Sequence, residues 1–377
     1  MQLNFLGNEL KNNNLGERMQ ELFPEGFVFI NALYGLSWCE LAFSDSTNDK
    51  KIKAKALKEA LFAYNEINSD KAKSIFDSHL TPEKGIFYIG WNNYLLSKIL
   101  SLDTSFVDYD KYENIFIDQS ELISNSLKES NSPFLQSYHN QTWPADMFVA
   151  MASISNYDKI FKPKYKNEIS EWINGVKLNL DPKTKLIPHK VNPRTGGTIE
   201  GPRGSSISLI IRLLAEIEPN FANEQYELYK TNFVITTLGL PSICEYPKGQ
   251  FGETDIDSGP VIFGVGFSGT IVSIGTYSML GDSELAEMQY KTINAFGFSN
   301  KFGNEKKYIF GLLPIADAFI AWGRASGLNQ SNISNSSSNG WRVKFHIISF
   351  LVLTILWLLL YSNKIISKFK ELAKESK

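Results

Sequence analysis

The most constraining feature of this 377-residue chain is a set of apolar segments that recur at a nearly constant spacing. Each segment begins at a glycine or a proline, which commonly mark the start of a helix. Each is also rich in small and apolar residues, as helices buried on most sides are. The period therefore predicts six buried helices, one in each repeated unit. The six segments begin at Gly26, Gly85, Pro144, Pro202, Pro260 and Pro314, at intervals of 59, 59, 58, 58 and 54 residues.

More highly charged stretches with a single apolar stripe lie between these segments. They are typical of outer helices that cover an inner one. The repeated unit is therefore predicted to be an inner helix, a turn, an outer helix and a return loop. The sixth unit has no such stretch after it, and residues 5–22 are predicted to supply its outer helix. Strong alternation of period two is absent, which argues against an extensive sheet. The charged stretches are residues 50–68, 109–130, 164–180, 220–238 and 282–296.

This period, with the phrases DPKTKLIPH, GPRGSS and DIDSGP, resembles the (α/α)6 toroid shared by many glycoside hydrolases, polysaccharide lyases and sugar epimerases. A weaker resemblance links the chain to linalool dehydratase/isomerase-like proteins. The resemblance covers about residues 5–327 and implies an all-α toroid of helical hairpins over residues 1–327. It also implies a ligand cleft at one mouth, lined by the loops that lead into the inner helices. Because the resemblance is architectural, the function has to be argued from the site.

An uncharged apolar run near the C-terminus predicts a single transmembrane helix over residues 345–361. The run has 17 residues without Asp, Glu, Lys or Arg, close to the minimum length for crossing a bilayer. An Asn/Ser-rich linker over residues 328–344 precedes it. The tail over residues 362–377 carries five Lys and two Glu.

These features predict a single-pass C-terminal anchor in a lipid bilayer. The basic tail favours a cytoplasmic position for the tail and an outside position for the preceding domain. The N-terminus, however, has no basic region followed by an apolar one, so no signal peptide is visible. Three explanations stay open: a domain that remains in the cytoplasm, a missing upstream start, or another route of export.

Overall composition excludes several classes of partner and cofactor. The chain has 38 Lys and Arg against 40 Asp and Glu, and this even balance argues against nucleic acid as a partner. Its two cysteines cannot form a disulfide framework or a cysteine-based zinc site. With no compact cluster of ligands in the sequence, we predict neither a metal nor a cofactor.

The loop before the third inner helix, SYHNQTWPADMF, carries candidate site residues. Trp143 and Tyr138 would form a platform, since a sugar presents a flat apolar face to an aromatic ring. Asp146 lies in the first helical turn and is predicted to act as an acid or a base. The alternative for Asp146 is a carboxylate that only complements the helix dipole.

The loop before the fourth inner helix spans residues 181–206, and a connection of this length is often functional. Arg203 stands at the helix start, where it would hold a carboxylate or a phosphate together with exposed backbone N–H groups. His189 is a candidate acid or base at neutral pH. The alternatives are a structural ion pair for Arg203 and an ordinary loop histidine for His189.

The loop before the fifth inner helix is crowded with acidic residues, among them Glu245, Asp255 and Asp257. Repulsion between neighbouring acids, with partial burial, would raise the pKa of one of them and make it a proton donor. Paired carboxylates are the usual equipment of glycoside hydrolysis. The alternative for Asp257 is helix capping. Tyr246, in the same loop, is predicted to extend the aromatic platform.

Two further sets of residues are weaker candidates. Trp91 and Asn92 lie within the second inner helix and would line the lumen, although packing is the alternative role. Linalool dehydratase-like enzymes use cysteines in the pocket, whereas Cys39 and Cys244 are far apart in this sequence. That difference weighs against a terpene-alcohol lyase.

The sequence favours a membrane-anchored enzyme that hydrolyses, eliminates from or epimerises a carbohydrate or a similar polyhydroxylated substrate. Two alternatives are a lyase or isomerase of an isoprenoid alcohol and a non-catalytic, membrane-tethered binding or scaffold protein. Asp146 and Asp257 are the preferred carboxylate pair. The predicted catalytic residues are Asp146, Asp257, His189, Asp255 and Glu245, and the predicted substrate-binding residues are Arg203, Trp143, Tyr138, Tyr246, Trp91 and Asn92.

Overall fold

A computed structural model of the chain describes residues 1–44, 49–256, 258–327 and 341–375. Most of the described residues are helical, and the strands form four short antiparallel ribbons. The predicted helical character without an extensive sheet is thus confirmed for the described residues. The helices are α1 (Gln2–Asn12), α2 (Leu15–Leu22), α3 (Gly26–Phe43), α4 (Lys50–Ile67), α5 (Asp70–Lys73), α6 (Gly85–Leu102), α7 (Tyr109–Glu129), α8 (Pro144–Ile160), α9 (Lys166–Leu178), α10 (Gly204–Ile217), α11 (Pro219–Phe233), α12 (Phe267–Met279), α13 (Ser283–Phe296), α14 (Pro314–Gly327) and α15 (Trp341–Glu375). The ribbons pair β1 (Lys190–Val191) with β2 (Thr198–Glu200), β3 (Val234–Thr237) with β4 (Leu240–Ile243), β5 (Val261–Ile262) with β6 (Val265–Gly266), and β7 (Asn300–Phe302) with β8 (Glu305–Lys307).

Four of the six predicted inner helices, α3, α6, α8 and α14, begin at the glycine or proline that the period identified. The fourth, α10, begins two residues late, at Gly204. The fifth, α12, begins seven residues late because residues 261–266 form the β5–β6 ribbon. The turn of that ribbon is Phe263-Gly264, and both residues have positive φ, 51° and 83°. Such a pair builds the tight hairpin turn that suits the twist of its strands, and it cannot continue a helix.

Packing between the helices follows the order of the chain. The inner helices contact one another in sequence, α3 with α6, then α8, α10, α12 and α14, and α14 also contacts α3. Each outer helix packs on the inner helix before it: α4 on α3, α7 on α6, α9 on α8, α11 on α10 and α13 on α12. The N-terminal α1 contacts α14.

The inner helices all run in the same direction. Asn93 of α6 donates to Ser153 of α8 at 2.9 Å, and one turn later Asn156 of α8 donates to Ser97 of α6 at 3.0 Å. In each other pair of neighbouring inner helices, residues near the start of one helix contact residues near the start of the other, or residues near the two ends contact each other. The connections before the inner helices therefore lie at one end of the assembly, which we call the entry end; the opposite end is the exit end. The further pairs are Phe29 with Phe87, Gly35 with Leu95, Gly204 with Gly269, Ser208 with Thr276, Gly275 with Gly323, Ser278 with Gly327, Ser155 with Glu216, and Phe29 with Phe319.

A buried ion-pair network joins three inner helices at the exit end. Lys98 Nζ lies 2.8 Å from Glu216 Oε2 and 3.5 Å from Glu40 Oε1. The Tyr94 hydroxyl donates to the second oxygen of Glu216 at 2.7 Å. Since each buried charge meets an opposite one, the network holds the helices in register rather than offering a free reactive group.

Within the described part of the chain, two helices are long and apolar enough to cross a membrane. The first, Gly26–Phe43, is 78% buried inside the protein, as a core helix is. The second, Phe345–Ser362, is 0% buried and forms part of α15. A C-terminal apolar helix therefore exists where the sequence predicted one. Residues 328–340 of the predicted linker lie outside the described residues.

Asp317, in the first turn of α14, is a fully buried carboxyl group at the entry end. It accepts hydrogen bonds from Tyr308 N–H at 3.2 Å and from Gln2 Nε2 at 3.0 Å. Burial raises the pKa of Asp317 from 3.8 to about 6, against the opposing effect of these bonds. Ionising this side chain therefore costs the folded state free energy.

Asp317→Asn is expected to flatten the pH dependence of stability between pH 4 and pH 7. A carboxyl group with a raised pKa stabilises the fold fully below its ordinary pKa, and this contribution is lost as pH rises through the folded value. The loss is on the order of 3 kcal/mol for a shift of about two units. Urea denaturation at several pH values measures it, with Asp110→Asn, an exposed site on α7, as the control. An unchanged pH slope in Asp317→Asn would contradict the assignment.

Candidate functional site

Arg203, the residue immediately before α10, is at the centre of the candidate site and is 2% exposed. Its Nε donates to Glu245 Oε1 at 2.8 Å. Its two terminal nitrogens bind both oxygens of Asp255, with Nη2 2.9 Å from Oδ1 and Nη1 bonded to Oδ2. Such charge-assisted, two-pronged bonds are among the strongest in proteins. One buried arginine thus holds two carboxylates from the following entry-end connection.

Glycine allows these two connections to approach closely. Gly204 N–H donates to Glu245 O at 2.7 Å, and a Cβ on Gly204 would lie 2.0 Å from the Cys244 carbonyl oxygen. A Cβ on Gly266 would lie 2.6 Å from Glu245 Oε2. Only residues without a side chain fit at these positions, so the glycines bring Glu245 against Arg203.

The environments of Glu245 and Asp255 displace their pKa values in opposite directions. Glu245 is 0% exposed, and burial raises its pKa despite the nearby Arg203 charge. Partial burial also acts to raise the pKa of Asp255, but the bonds from Arg203 and from Ser258 N–H outweigh it and lower that pKa. The Asp255 side chain is 45% exposed. The pKa of Glu245 is therefore raised and that of Asp255 lowered, so Glu245 keeps its proton to a higher pH than Asp255 does.

The two oxygens of Glu245 have different surroundings. Oε1 accepts from Arg203 and, at 2.8 Å, from the Ser205 hydroxyl. Oε2 is buried and has no hydrogen-bond partner among the described residues. A buried polar atom without a partner is costly, and a protonated Oε2 would be available to donate.

His189 adjoins this group of residues. It is 4% exposed, and its backbone N–H donates to the Glu200 carbonyl oxygen at 3.1 Å. Its ring Nδ1 lies 3.0 Å from Ser206 Oγ, in the first turn of α10. Burial, followed by the positive charge of Arg203, lowers the pKa of His189 to about 3. The imidazole is therefore neutral at physiological pH.

Tyr246 covers the site from the same connection as Glu245. Its ring centre lies 5.5 Å from the Arg203 guanidinium carbon, within the range of a cation–π contact. Its hydroxyl donates to Glu253 O at 2.5 Å. A Cβ on Gly252 would lie 2.2 Å from the Tyr246 ring, so glycine allows the loop to cross over the ring here. These contacts fix residues 249–256, all exposed, over Arg203.

The connection before α8 is the neighbour of this site. Val191 N–H, in β1, donates to Thr142 O at 3.1 Å and joins the two connections. Lys190 Nζ lies 5.1 Å from the centre of the Trp143 ring. Trp143 in turn meets Tyr138 edge to face at 5.7 Å. The two predicted platform aromatics are therefore in contact with each other, next to the strand that follows His189.

Asp146 lies in the first turn of α8, where the Ser137 hydroxyl donates to its Oδ2 at 2.5 Å. Its predicted partner, Asp257, lies outside the described residues. Pairing of these two carboxylates therefore stays a prediction. The carboxylates that the structure places together are Glu245 and Asp255.

Trp91 and Asn92 point in different directions from α6. The Trp91 ring meets Phe29 at 4.9 Å and Trp322 at 6.1 Å, on the side of the other inner helices. Asn92 Nδ2 donates to Asn68 Oδ1 at 3.1 Å, on the side of the outer helices. Neighbouring residues of a helix point about 100° apart, so both could not line one lumen.

Sequence reasoning missed Ser205 and Ser206, which bond to Glu245 and His189. The available signal was the GPRGSS phrase, which places two hydroxyl groups in the first turn after Arg203. Serines at this position usually indicate capping, so their type alone did not single them out.

Two other features of the described residues bear on a binding site. No three His, Cys, Asp or Glu side chains in this part of the chain are grouped as a metal ion would require. A shallow depression of about 370 Å³ lies between α11 and the start of α13, lined by Tyr226 and Asp282 among others. None of the predicted site residues lines it.

No family model matches the sequence, and no curated protein matches it. Among solved structures, the chain is similar to a polysaccharide lyase with a TM-score of 0.36 and 12% identity. The match covers 71% of this chain and 90% of that one. A likeness at this TM-score carries no weight for fold or function.

Proposed function

We propose that the chain is a membrane-anchored enzyme that performs acid–base chemistry on a carbohydrate or a similar polyhydroxylated substrate at the Arg203 site. One observation carries the proposal: Glu245 and Asp255 share one buried arginine, and their pKa values are displaced in opposite directions. Pairs of this kind commonly divide the acid and base roles in enzymes. Glu245 would be the acid and Asp255 the base.

The proposed fold is an (α/α)6 toroid over residues 1–327. The cyclic order of contacts supports it, since α14 packs against α3 and each inner helix carries its own outer helix. The contact of α1 with α14 supports the proposal that the N-terminus supplies the sixth outer helix. The entry end would then be the mouth of the cleft.

In the proposed reaction, the neutral Glu245 carboxyl gives the proton on Oε2 to the oxygen of a leaving group. The ionised Asp255 takes a proton from the attacking water in a hydrolysis, or from carbon in an elimination. Tyr246 and Trp143 would contact the apolar face of a sugar ring. His189, neutral and bonded to Ser206, would bind a substrate hydroxyl rather than carry charge.

This reaction requires movement of residues 249–256. Glu245 is 0% exposed, and residues of this loop contact Arg203 and Tyr246 beside it, so we propose that a substrate reaches Glu245 when the loop opens. Two contacts hold the loop closed, the Arg203–Asp255 pair and the Tyr246–Glu253 bond. Loop opening over a buried acid is a common way to exclude water until a substrate is bound.

The proposed anchor is the transmembrane helix of residues 345–361, flanked by the linker of residues 328–344 and the basic tail of residues 362–377. In support, the 18 residues of Phe345–Ser362 are mostly apolar, include no Asp, Glu, Lys or Arg, and are 0% buried in the protein. An apolar helix of this length that the protein leaves unburied is favoured in a bilayer.

The positions of the two cysteines give no support to the alternative, an isoprenoid lyase that uses pocket thiols. Cys39 lies next to Glu40 in the exit-end network, whereas Cys244 lies at the entry end. Burial raises the pKa of both thiols, which keeps them protonated.

A substrate screen tests the proposed function. The full chain in detergent is incubated with a panel of glycans and, separately, of isoprenoid alcohols, and products are identified by mass spectrometry. Turnover of a glycan that disappears in the Glu245→Gln/Asp255→Asn double variant is the expected result. Glu171→Gln, at an exposed position on α9, is the control and should keep full activity. Turnover of isoprenoid alcohols alone, or glycan turnover that survives the double variant, would contradict the proposal.

A further inference from the structure

Five phenylalanines protrude from the entry end into solvent. Phe263 is 100% exposed, Phe251 89%, Phe302 85%, Phe298 68% and Phe310 63%. All five lie in the two connections that lead into α12 and α14. Concentrated exposure of large apolar side chains on a few neighbouring loops usually marks a surface that binds something.

The start of the C-terminal apolar helix lies beside the same loops. The Phe345 ring meets the Phe296 ring edge to face at 5.4 Å. Phe296 is the last residue of α13 and leads directly into β7. Because α13 returns from the exit end, where α12 finishes, its own last residue lies at the entry end. The apolar run thus begins at the entry end, from which the five phenylalanines also protrude.

We propose that residues 249–256, 258–263 and 298–312 form a membrane-docking surface that holds the entry end against the lipid bilayer. The proposal rests on the membrane anchor proposed above and deepens it. A helix that enters a bilayer at Phe345 brings neighbouring phenylalanines to the membrane interface, where aromatic rings partition favourably.

The charges on these loops indicate that docking is apolar rather than electrostatic. In sequence, residues 249–263 and 298–312 carry three basic residues, Lys301, Lys306 and Lys307, against four acidic ones, Glu253, Asp255, Asp257 and Glu305, so they have no basic excess. A surface that binds anionic lipid by charge carries a cluster of basic residues instead. We therefore expect docking to an uncharged phosphatidylcholine bilayer and little effect of salt.

Site-specific probes in the full chain test this surface. Single cysteines are introduced by Phe263→Cys and Phe302→Cys and labelled with a polarity-sensitive fluorophore, and the protein is reconstituted in phosphatidylcholine vesicles. Both native cysteines are buried, so the unsubstituted chain measures background labelling. Val107→Cys is the matched control, because Val107 is 85% exposed on the α6–α7 connection at the exit end.

The expected result is a blue shift and a loss of emission with nitroxide-bearing lipid at positions 263 and 302, with neither effect at 107. Equal quenching at all three positions would overturn the proposal. So would a blue shift that ignores the quencher lipid and grows with the protein-to-lipid ratio, since that indicates contact between copies of the chain. A Leu353→Cys probe within the apolar helix distinguishes failure of the proposed anchor from failure of the docking surface. Quenching there, without quenching at 263 and 302, would leave the anchor standing and remove the docking surface.

Discussion

Arg203→Leu is expected to lower the free energy of unfolding of the full chain by about 3 to 5 kcal/mol. The substitution leaves Glu245 fully buried without its cation and releases Asp255, which the guanidinium holds at both oxygens. At a pH where Glu245 is ionised, a buried charge that loses its partner costs far more than the pair itself contributes. Urea denaturation in detergent, followed by tryptophan fluorescence, measures the change.

The matched control is Lys164→Leu. Lys164 also pairs with a carboxylate, Glu121, at 2.5 Å, but the two side chains are 47% and 50% exposed. Exposed pairs contribute about 0 to 1 kcal/mol, so this variant should unfold nearly as the wild type does. If both variants lost a comparable free energy of unfolding, burial of the ion pairs of Arg203 would not explain their contribution to stability.

The pH dependence and a double variant separate charge from packing. Without Arg203, the pKa of Glu245 would rise further, because burial already raises it and the cation opposes that rise. A carboxyl group with a raised pKa destabilises the fold only where it ionises, so the cost of Arg203→Leu should shrink as pH falls. Arg203→Leu/Glu245→Leu should recover part of the stability at neutral pH. No recovery in acid or in the double variant would contradict the charge argument.

The period of the apolar segments allowed prediction of most of the helices, because helix starts and burial are local properties of sequence. Four inner helices begin at the predicted residue. The late start of α12 was not predictable from apolarity. Residues 261–266 are as apolar as a helix, and only the positive φ of Phe263 and Gly264 makes them a ribbon.

The site was only partly predictable, because its contacts join residues that are far apart in sequence. Arg203 was identified from its place at a helix start, but its two partners lie 42 and 52 residues later. Within the acidic connection the sequence favoured Asp257, whereas Asp255 is the residue that binds Arg203. Two acidic residues separated by one position have the same local signal, so the sequence could not show that Asp255 binds Arg203.

Burial was the other property that local sequence did not give. His189 was predicted as a titrating group near neutral pH, because that is the ordinary behaviour of histidine. Its pKa is instead lowered to about 3 by burial and by Arg203. An imidazole with so low a pKa is neutral at physiological pH, which is why we propose a hydrogen-bonding role for His189.

On a substrate that the screen identifies, Glu245→Gln and Asp255→Asn are each expected to lower kcat by about 10²- to 10⁴-fold, the usual contribution of a general acid or base. Glutamine keeps the oxygen that accepts from Arg203 and Ser205 but cannot give up a proton. Asparagine at 255 keeps a polar group but cannot accept one. Steady-state assays of each single variant measure the fall in kcat, and Glu171→Gln again serves as the control.

The pH profile assigns the two roles. Turnover needs Glu245 protonated and Asp255 ionised, so the wild-type rate should fall in alkali as Glu245 ionises and in acid as Asp255 is protonated. Since burial raises the pKa of Glu245 and Arg203 lowers that of Asp255, the optimum should lie between the two values. Glu245→Gln should remove the alkaline limb alone, and Asp255→Asn the acidic limb alone. If both variants keep both limbs, other groups carry the protons and the Arg203 pair serves only the fold.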